Sequence, residues 1–495
     1  MKYPVKKDKV RRQHFSAVLG YTTKNFWMLL IPAVRALIAY SFDILEWMHV
    51  MWENILIILL MFAAAVFRWY FNYFTIGEKS FYHHSGFAPG MDSEIPYSMI
   101  SAVTSEKALR TLPFRCTVVL LDTDSKSIEF SKKSPDIRLV MKNADADELF
   151  KRLSEMNSGA KLFGDRIPKR SLFMFSTFFS SAFSGVMLIA AFLINSANII
   201  GDTLERMFFD AVNTAAENVT RIMGSVIRNI TPVTAAVTII LVAGWLLSFL
   251  RNLFRHMFFC IEKRGNGITI NEGFITKRKY YISSGHINYA DIRQNLVMKA
   301  VRIMSVNVNC SGYGKGKNEI PVFIPVSSEK KVSGIMRRII PGYEVQGEPV
   351  KIGMYYIWRY IGPVTVAVMA DIFVSGIGIM LLPQWYDMLL FAFIMTEIPL
   401  IWLLIVKAAA YCTGSITCNG QVMAIKYCTW YEFHTVIVPR ARIAKIAVSR
   451  TVFQMINGSC DVIVYTNSEY TKSHRIGGIP IKDAQMLLER YSKDI

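Results

Sequence analysis

Three charged residues stand inside stretches that are otherwise almost wholly apolar: Arg35, Asp371 and Glu397. A charge at the centre of a bilayer costs about 2.5–3.5 kcal/mol on insertion scales, so such residues pair with one another or line a polar path. Asp371 lies mid-run, with "SGIG" following from Ser375, and Glu397 precedes Pro399, which loosens a helix by removing a backbone donor. Arg35 paired with one of these carboxylates inside a six-helix bundle would be a structural tie. Neutralising both partners would then restore what either single change loses. Two other readings stay open: a path for a proton or substrate, and a tilted first span that leaves Arg35 near an interface.

A second chemistry is offered by clustered bases. Lys277, Arg278 and Lys279 are consecutive, followed by Lys315 and Lys317, Lys330 and Lys331, and Arg337 and Arg338. Between 251 and 359, 18 Lys and Arg stand against 7 Asp and Glu. Each basic group beside an anionic leaflet contributes about 1 kcal/mol of attraction, which suits lipid headgroups. The alternative is a solvated basic face that only enforces topology. Basic and aromatic residues are not interleaved as in RNA-binding modules, so nucleic acid is not an expected partner.

Other constellations fail. His83–His84 has no third ligand nearby and reads as a polar turn. "GYGKG" from Gly312 lacks the P-loop spacing and its Lys-Ser/Thr ending. The seven cysteines are an odd number, and Cys412, Cys418 and Cys428 have neither C-x-x-C spacing nor a histidine partner. They read as reduced, mostly buried thiols in a reducing compartment. No catalytic residue, metal or cofactor is expected, and the chain does not read as an enzyme.

The elements that must position these groups follow from composition. The 495 residues are 52% hydrophobic and 13% aromatic, with a formal net charge of +19. That is a membrane protein's balance, at a length for about three or four units. Leu172–Asn195, Thr231–Leu250, Tyr355–Leu382 and Met388–Val406 each approach or exceed the roughly 20 apolar residues that span a bilayer. A fifth stretch, Asn54–Tyr73, runs through Arg68 into the aromatic "WYFNYF", which suits the headgroup layer. The sixth, Phe26–Tyr40, contains Arg35. No signal peptide is expected.

The spans pair into hairpins at 25–73, 171–253 and 354–407, after a basic N-terminus at 1–24. Lys6, Lys7, Lys9, Arg11, Arg12, Lys169, Arg170, Arg251, Arg255, Lys351, Arg359 and Lys407 flank their open ends. The first tip carries Asp43, Glu46 and Glu53 with no Lys or Arg. The positive-inside rule then puts both termini and all large segments in the cytoplasm. The middle tip, 196–230, faces outward. Its Ile199, Ile200, Leu204, Met207 and Phe208 recur at helical spacing, as an interfacial helix or a plain linker.

A segment of similar pattern follows each hairpin, at 74–157, 261–340 and 408–495. Alternating runs such as "CTVVLL" from Cys116, "MSVNVNC" from Met304 and "CDVIVY" from Cys460 read as half-buried strands. Helical patterns close the segments from Ala144, Ser327 and Ile481. Each segment also repeats one phrase: "IPYSMI" at 95–100, "ISSGHI" at 282–287 and "VPRARI" at 438–443. Repetition at a fixed place marks a repeated unit. The phrase reads as a strand edge and turn with its aliphatic ends inward. The expected fold is membrane α + β: three transmembrane helix hairpins, each followed by a cytoplasmic β-barrel or sandwich with a C-terminal helix.

These phrases, with Gln294–Asn295 and the later Val306 and Val308, resemble the bacterial PH-like domain 2 family in its three-domain membrane arrangement. Ile95, Pro96, Ile100 and Val118 in the first segment, and Val438, Pro439, Ile443, Val462 and Val464 in the third, carry the same resemblance. Two features depart from it: Ser283 replaces the proline, and Gly420 lies eighteen residues before its phrase where Gly86 and Gly273 lie nine before theirs. The resemblance implies PH-like domains without enzyme activity in a multi-pass bacterial cell-membrane protein. It implies membrane lipids and a companion membrane protein with one such domain as partners, and a role in envelope maintenance or defence against membrane-active peptides. Homo- and hetero-oligomers both stay open. The competing reading is a transporter or flippase-like protein using Arg35, Asp371 and Glu397.

Overall fold

The computed structural model describes residues 10–22, 44–86, 90–107, 113–123, 136–156, 161–180, 186, 189, 203–223, 232–313, 322–343, 345, 347–419, 421–467 and 473–493. Arg35, Lys315 and Lys317, the span Phe26–Tyr40 and most of Leu172–Asn195 lie outside them.

In chain order, strand β1 (Arg11–Arg12) precedes helix α1 (Ile44–Tyr70). The first segment holds β2 (Tyr73–Ile76), β3 (Ser80–Ser85), β4 (Met91–Pro96), β5 (Ile100–Lys107), β6 (Cys116–Thr123), β7 (Ile137–Lys142) and α2 (Asn143–Met156). Then come β8 (Lys161–Arg166), α3 (Lys169–Phe179), α4 (Thr203–Met223) and α5 (Pro232–His256). The second segment holds β9 (Cys260–Arg264), β10 (Gly267–Glu272), β11 (Lys277–Ser283), β12 (Ile287–Asn295), β13 (Ile303–Cys310), β14 (Val322–Ser328) and α6 (Glu329–Ile339). After β15 (Val350–Lys351), α7 (Ile357–Leu381) and α8 (Tyr386–Thr413) comes the third: β16 (Ser415–Cys418), β17 (Val422–Thr429), β18 (Glu432–Pro439), β19 (Ile443–Ser449), β20 (Ser459–Thr466), β21 (Ser473–Pro480) and α9 (Ile481–Lys493).

The expected repeat is present: three strands, a turn, three strands, one helix. The phrase is that turn. Its first two residues end a strand, a single 3-10 turn follows (Tyr97–Met99, Ser284–His286, Arg440–Arg442), and its last isoleucine starts the next strand. Ile100, Ile282, Ile287 and Val438 are buried as expected. Tyr97 is buried too, because its hydroxyl donates to Gly77 O at 2.8 Å.

The strands pair across the segments rather than within them alone. In one sheet the order is β7-β6-β5-β11-β10-β9-β8, and in another β14-β13-β12-β18-β17-β16-β15. The front half of the middle segment thus continues the back half of the first, and its own back half is continued by the front of the third. Two compact units result, dividing the middle phrase between Ser283 and Ser284.

In the first unit, a smaller sheet β1-β2-β3-β4 accompanies the seven-stranded one. Its core joins Phe74, Phe81, Ile100, Val103, Val119, Leu139 and Met141 to Leu149 and Leu153 of α2. Tyr281 of β11 belongs to this same core. In the second unit, β19-β20-β21 form the smaller sheet, and Ile416, Ile425, Val462, Val464, Ile476 and Leu487 fill the core. Buried Asp461 accepts from Tyr356 Oη at 2.9 Å and from Gln454 and Arg475, tying the base of α7 to the third segment. Burial pushes this carboxyl up, but the Arg475, Tyr356 and Gln454 hydrogen bonds outweigh it and hold it below the ordinary range.

Among the described residues, four helices are long and apolar enough to cross a membrane, over Trp52–Tyr70, Ala236–His256, Met354–Leu381 and Leu389–Thr413. α7 and α8 lie side by side, joined through Pro383–Trp385. The C-terminal half of α8 is partly covered: Phe433 of β18 packs on Val406 and Ala410, and Tyr431 Oη donates to Pro399 O at 3.2 Å. α4 is a helix as its spacing predicts, with Met207 and Phe209 exposed and Val212 and Ala216 buried.

His83–His84 is not a turn but part of β3, because the alternation of that strand carries it. His83 points inward. Its Nε2 lies 2.9 Å from Asn72 Oδ1, which also accepts from Gln13 Nε2 at 2.6 Å. Burial pushes this imidazole down to about 4. Between that value and the unfolded value near 6.5 the unfolded chain binds the extra proton, so stability falls as pH falls through this window. Lowering the pH from 7 to 5 is expected to cost about 2 kcal/mol through this group alone. Thermal melts of purified protein at both pH values check it: His83→Asn should flatten the dependence.

Candidate anion-binding site

β11 begins with the basic triplet and is hydrogen-bonded on both sides, to β10 and to β5. The register places Lys277 directly opposite Lys107, Arg278 opposite Glu106, and Lys279 opposite Ser105. The three bases therefore meet different fates. Arg278 donates to Glu106 Oε1 at 2.9 Å. Lys279 lays its Nζ 4.6 Å from the centre of the Phe150 ring, and burial lowers its pKa although Asp147 pulls the other way. Lys277 is exposed, and its cross-strand neighbour is a second lysine. Like charges directly opposite on adjacent strands destabilise a sheet, by up to about 1 kcal/mol.

The turn before β11 is held against the end of α5. Gly273 N donates to Met257 O at 2.7 Å, and Phe274 N to Phe254 O at 3.0 Å. Only glycine fits: its φ is +102°, and a Cβ there would lie 2.0 Å from Thr276 O. The clamp presents apolar side chains to solvent, with Phe258 65% and Phe274 52% exposed and Ile275 beside them. Phe274 stands 5.9 Å from Phe254 and 6.2 Å from Phe258, ring centre to ring centre.

Beneath the turn, buried Glu272 faces His256 Nδ1 at 2.7 Å and accepts from Tyr280 Oη at 3.2 Å. Burial opposes its charge, but His256, Arg255 and Arg278 hold its pKa below the ordinary value. Between tip and sheet runs a cleft of about 460 Å3. Its charged lining is Lys107, Lys277, Arg278 and Lys279 against Asp147 and Glu272. With Arg278 committed to Glu106, and Asp147 beside Lys279, the cleft has room and charge for an anion at the Lys107–Lys277 pair.

The remaining bases from the sequence are elsewhere. Lys330, Lys331, Arg337 and Arg338 are exposed on α6 in the second unit, whose inner face buries Val332, Ile335, Met336 and Ile339. A cleft of about 610 Å3 there has mixed charge, with Glu329 beside Arg337 and Lys426. Ser328 takes the N-cap position of α6 but makes no side-chain capping bond.

Asp371 and Glu397 are brought together across α7 and α8. Thr396 Oγ1 donates to Asp371 Oδ2 at 2.8 Å, and the two carboxyls are within hydrogen-bonding reach of each other. Glu397 is buried, and its Oε2 has no hydrogen-bond partner among the described residues. The expected cation, Arg35, lies outside the described residues.

Lys107, Phe258 and Phe274 were not singled out by sequence reasoning. "EGFITKRK" contains a signal, a turn glycine followed by apolar then basic residues, but the partner lysine on β5 is visible only in the register. Gly273→Ala is expected to cost about 1–3 kcal/mol, because a left-handed backbone and a collision with Thr276 O must both be relieved. Thermal unfolding measures it, with Gly334→Ala, an open position inside α6 where alanine is expected to stabilise by up to about 1 kcal/mol, as the comparison.

No curated protein matches the chain. The bacterial PH domain family matches three stretches, at 19–157, 215–339 and 365–495. Each match ends at the closing helix of one segment, and the middle match spans the phrase where the two units divide. Together the three cover most of the chain, which belongs to the bacterial PH domain family.

Proposed function

We propose that the chain is a multi-pass bacterial membrane scaffold whose PH-like domains lie at the cytoplasmic leaflet and whose Lys107–Lys277 cleft takes the phosphate of an anionic lipid headgroup. One observation carries this reading: two lysines opposed across adjacent strands, beside exposed Phe258, Phe274 and Ile275, where a membrane-length helix ends. An anion between the lysines converts a repulsion into two charge-assisted contacts. The aromatic tip would sit among headgroups, as aromatic residues do at membrane interfaces. The bases flanking the hairpins support the cytoplasmic side. Binding a partner membrane protein is compatible with the same scaffold, but the opposed lysines favour the lipid.

Native mass spectrometry of the full-length protein in detergent tests it, with phosphatidylglycerol and phosphatidylcholine titrated separately. Wild type is expected to retain the anionic lipid preferentially, and Lys107→Gln/Lys277→Gln to weaken that retention about thirtyfold, in line with about 1 kcal/mol for each of the two basic groups. Equal retention of both lipids, or no change in the variant, overturns the assignment. Cysteine labelling in intact cells checks the topology, and the three β segments are expected on one side.

A second reading, a transporter or flippase-like protein, is favoured by the facing carboxyls of Asp371 and Glu397. Asp371→Asn/Glu397→Gln separates the two. A structural contact tolerates the pair of amides, with unchanged thermal stability and lipid retention, whereas a proton path loses pH-driven transport in vesicles.

A further inference from the structure

The two seven-stranded sheets are joined by one rule, used twice. At the first joint Val103, three residues after the isoleucine that closes its phrase, faces Tyr281, one residue before the next phrase opens. At the second, Ala290, three after Ile287, faces Ile437, one before Val438. Both joints are antiparallel, and all four residues are buried.

The chain leaves one strand of each kind over. β19, the counterpart of β5 and β12, pairs with β20 alone among the described residues. β4, the counterpart of β11 and β18, pairs with β3 alone among the described residues. Their exposure shows the difference. Val448 of β19 is 36% exposed, whereas its counterpart Ser105 in β5 is 6% exposed. On β4, Glu94 is exposed where Tyr281 and Ile437 are buried. Unpaired edges of six and seven residues are templates for another strand.

We propose that β19 of one copy takes β4 of a second copy, by the register of the two internal joints. Ile446 then faces Glu94, Lys445 faces Ile95 and Val448 faces Asp92. One charge match fits: β4 carries Asp92 and Glu94, and β19 is followed by Arg450 on the face those two share. In this register Arg450 lies diagonal to Asp92, within cross-strand reach. The contact is heterologous, so the copies follow one another head to tail and the assembly either closes as a ring or runs on. It does not depend on the lipid reading.

Disulfide trapping in native membranes tests it. Two differently tagged chains are co-expressed, one with Glu94→Cys and one with Ile446→Cys, both with exposed Cys412→Ser. Opposed residues on antiparallel strands lie within disulfide reach. A linked species carrying both tags is expected, at least tenfold above that from Glu94→Cys with Ala447→Cys, since a one-residue shift turns the side chain to the other face. In nanodiscs, wild type is expected at multiples of the 56.3 kDa chain. Absence of the mixed product, equal yield from the shifted pair, or single chains throughout overturns the proposal. So does an internal disulfide in a chain carrying both Glu94→Cys and Ile446→Cys, or capture of a different protein by Ile446→Cys.

Discussion

Two rows of interstrand hydrogen bonds, β5 to β11 and β12 to β18, govern the architecture. Each row satisfies backbone donors and acceptors that a separate sandwich would leave on an open edge. The same rows bury Val103, Ala290, Tyr281 and Ile437, which a detached segment would expose. Consecutive segments are therefore not beads on a string. The middle segment has no complete seven-stranded sheet of its own and lends one half to each neighbour.

The candidate site depends on the first of these rows. β11 by itself is a basic strand; β5 decides what its bases do. Glu106 takes Arg278, Phe150 lies under Lys279, and Lys107 is set against Lys277. A site made at a joint between repeats belongs to neither repeat alone. That explains why the basic triplet has this environment only in the first joint: in the second, the same stretch of β18 offers Phe433, His434 and Thr435, and His434 goes to Asp291 at 3.1 Å.

Much of the repeat was legible in the sequence. Alternation located β6, β13 and β20, helical periodicity located α2, α6 and α9, and the repeated phrase marked its turn, because each is a local pattern with a local cause. What stayed hidden is non-local. Nothing in "KRKYYIS" says that its partner is "ISAVTSEK", since any exposed edge accepts a strand of matching alternation. His83 looked polar by type and is core by position. The displaced turn of the third segment was visible as a missing glycine. Trp430, at φ +51°, takes the left-handed position that Gly273, at +102°, takes in the second. The sequence set Arg35 against one of the two carboxylates, and the approach of Asp371 and Glu397 to each other was not foreseen.

The joints also constrain how the polypeptide is made. Glu106 and Arg278 are 172 positions apart, and Asp291 and His434 143 apart. A ribosome releases β5 long before β11 exists, with the long apolar helix α5 still to be made between them. The earlier edge must wait, unpaired and adhesive, until synthesis has delivered its match. Such late closure of distant strands slows maturation and favours capture by whatever chain is nearest. Helpers that shield nascent β edges, rather than those that shield greasy helices, would then limit how much mature protein a cell obtains.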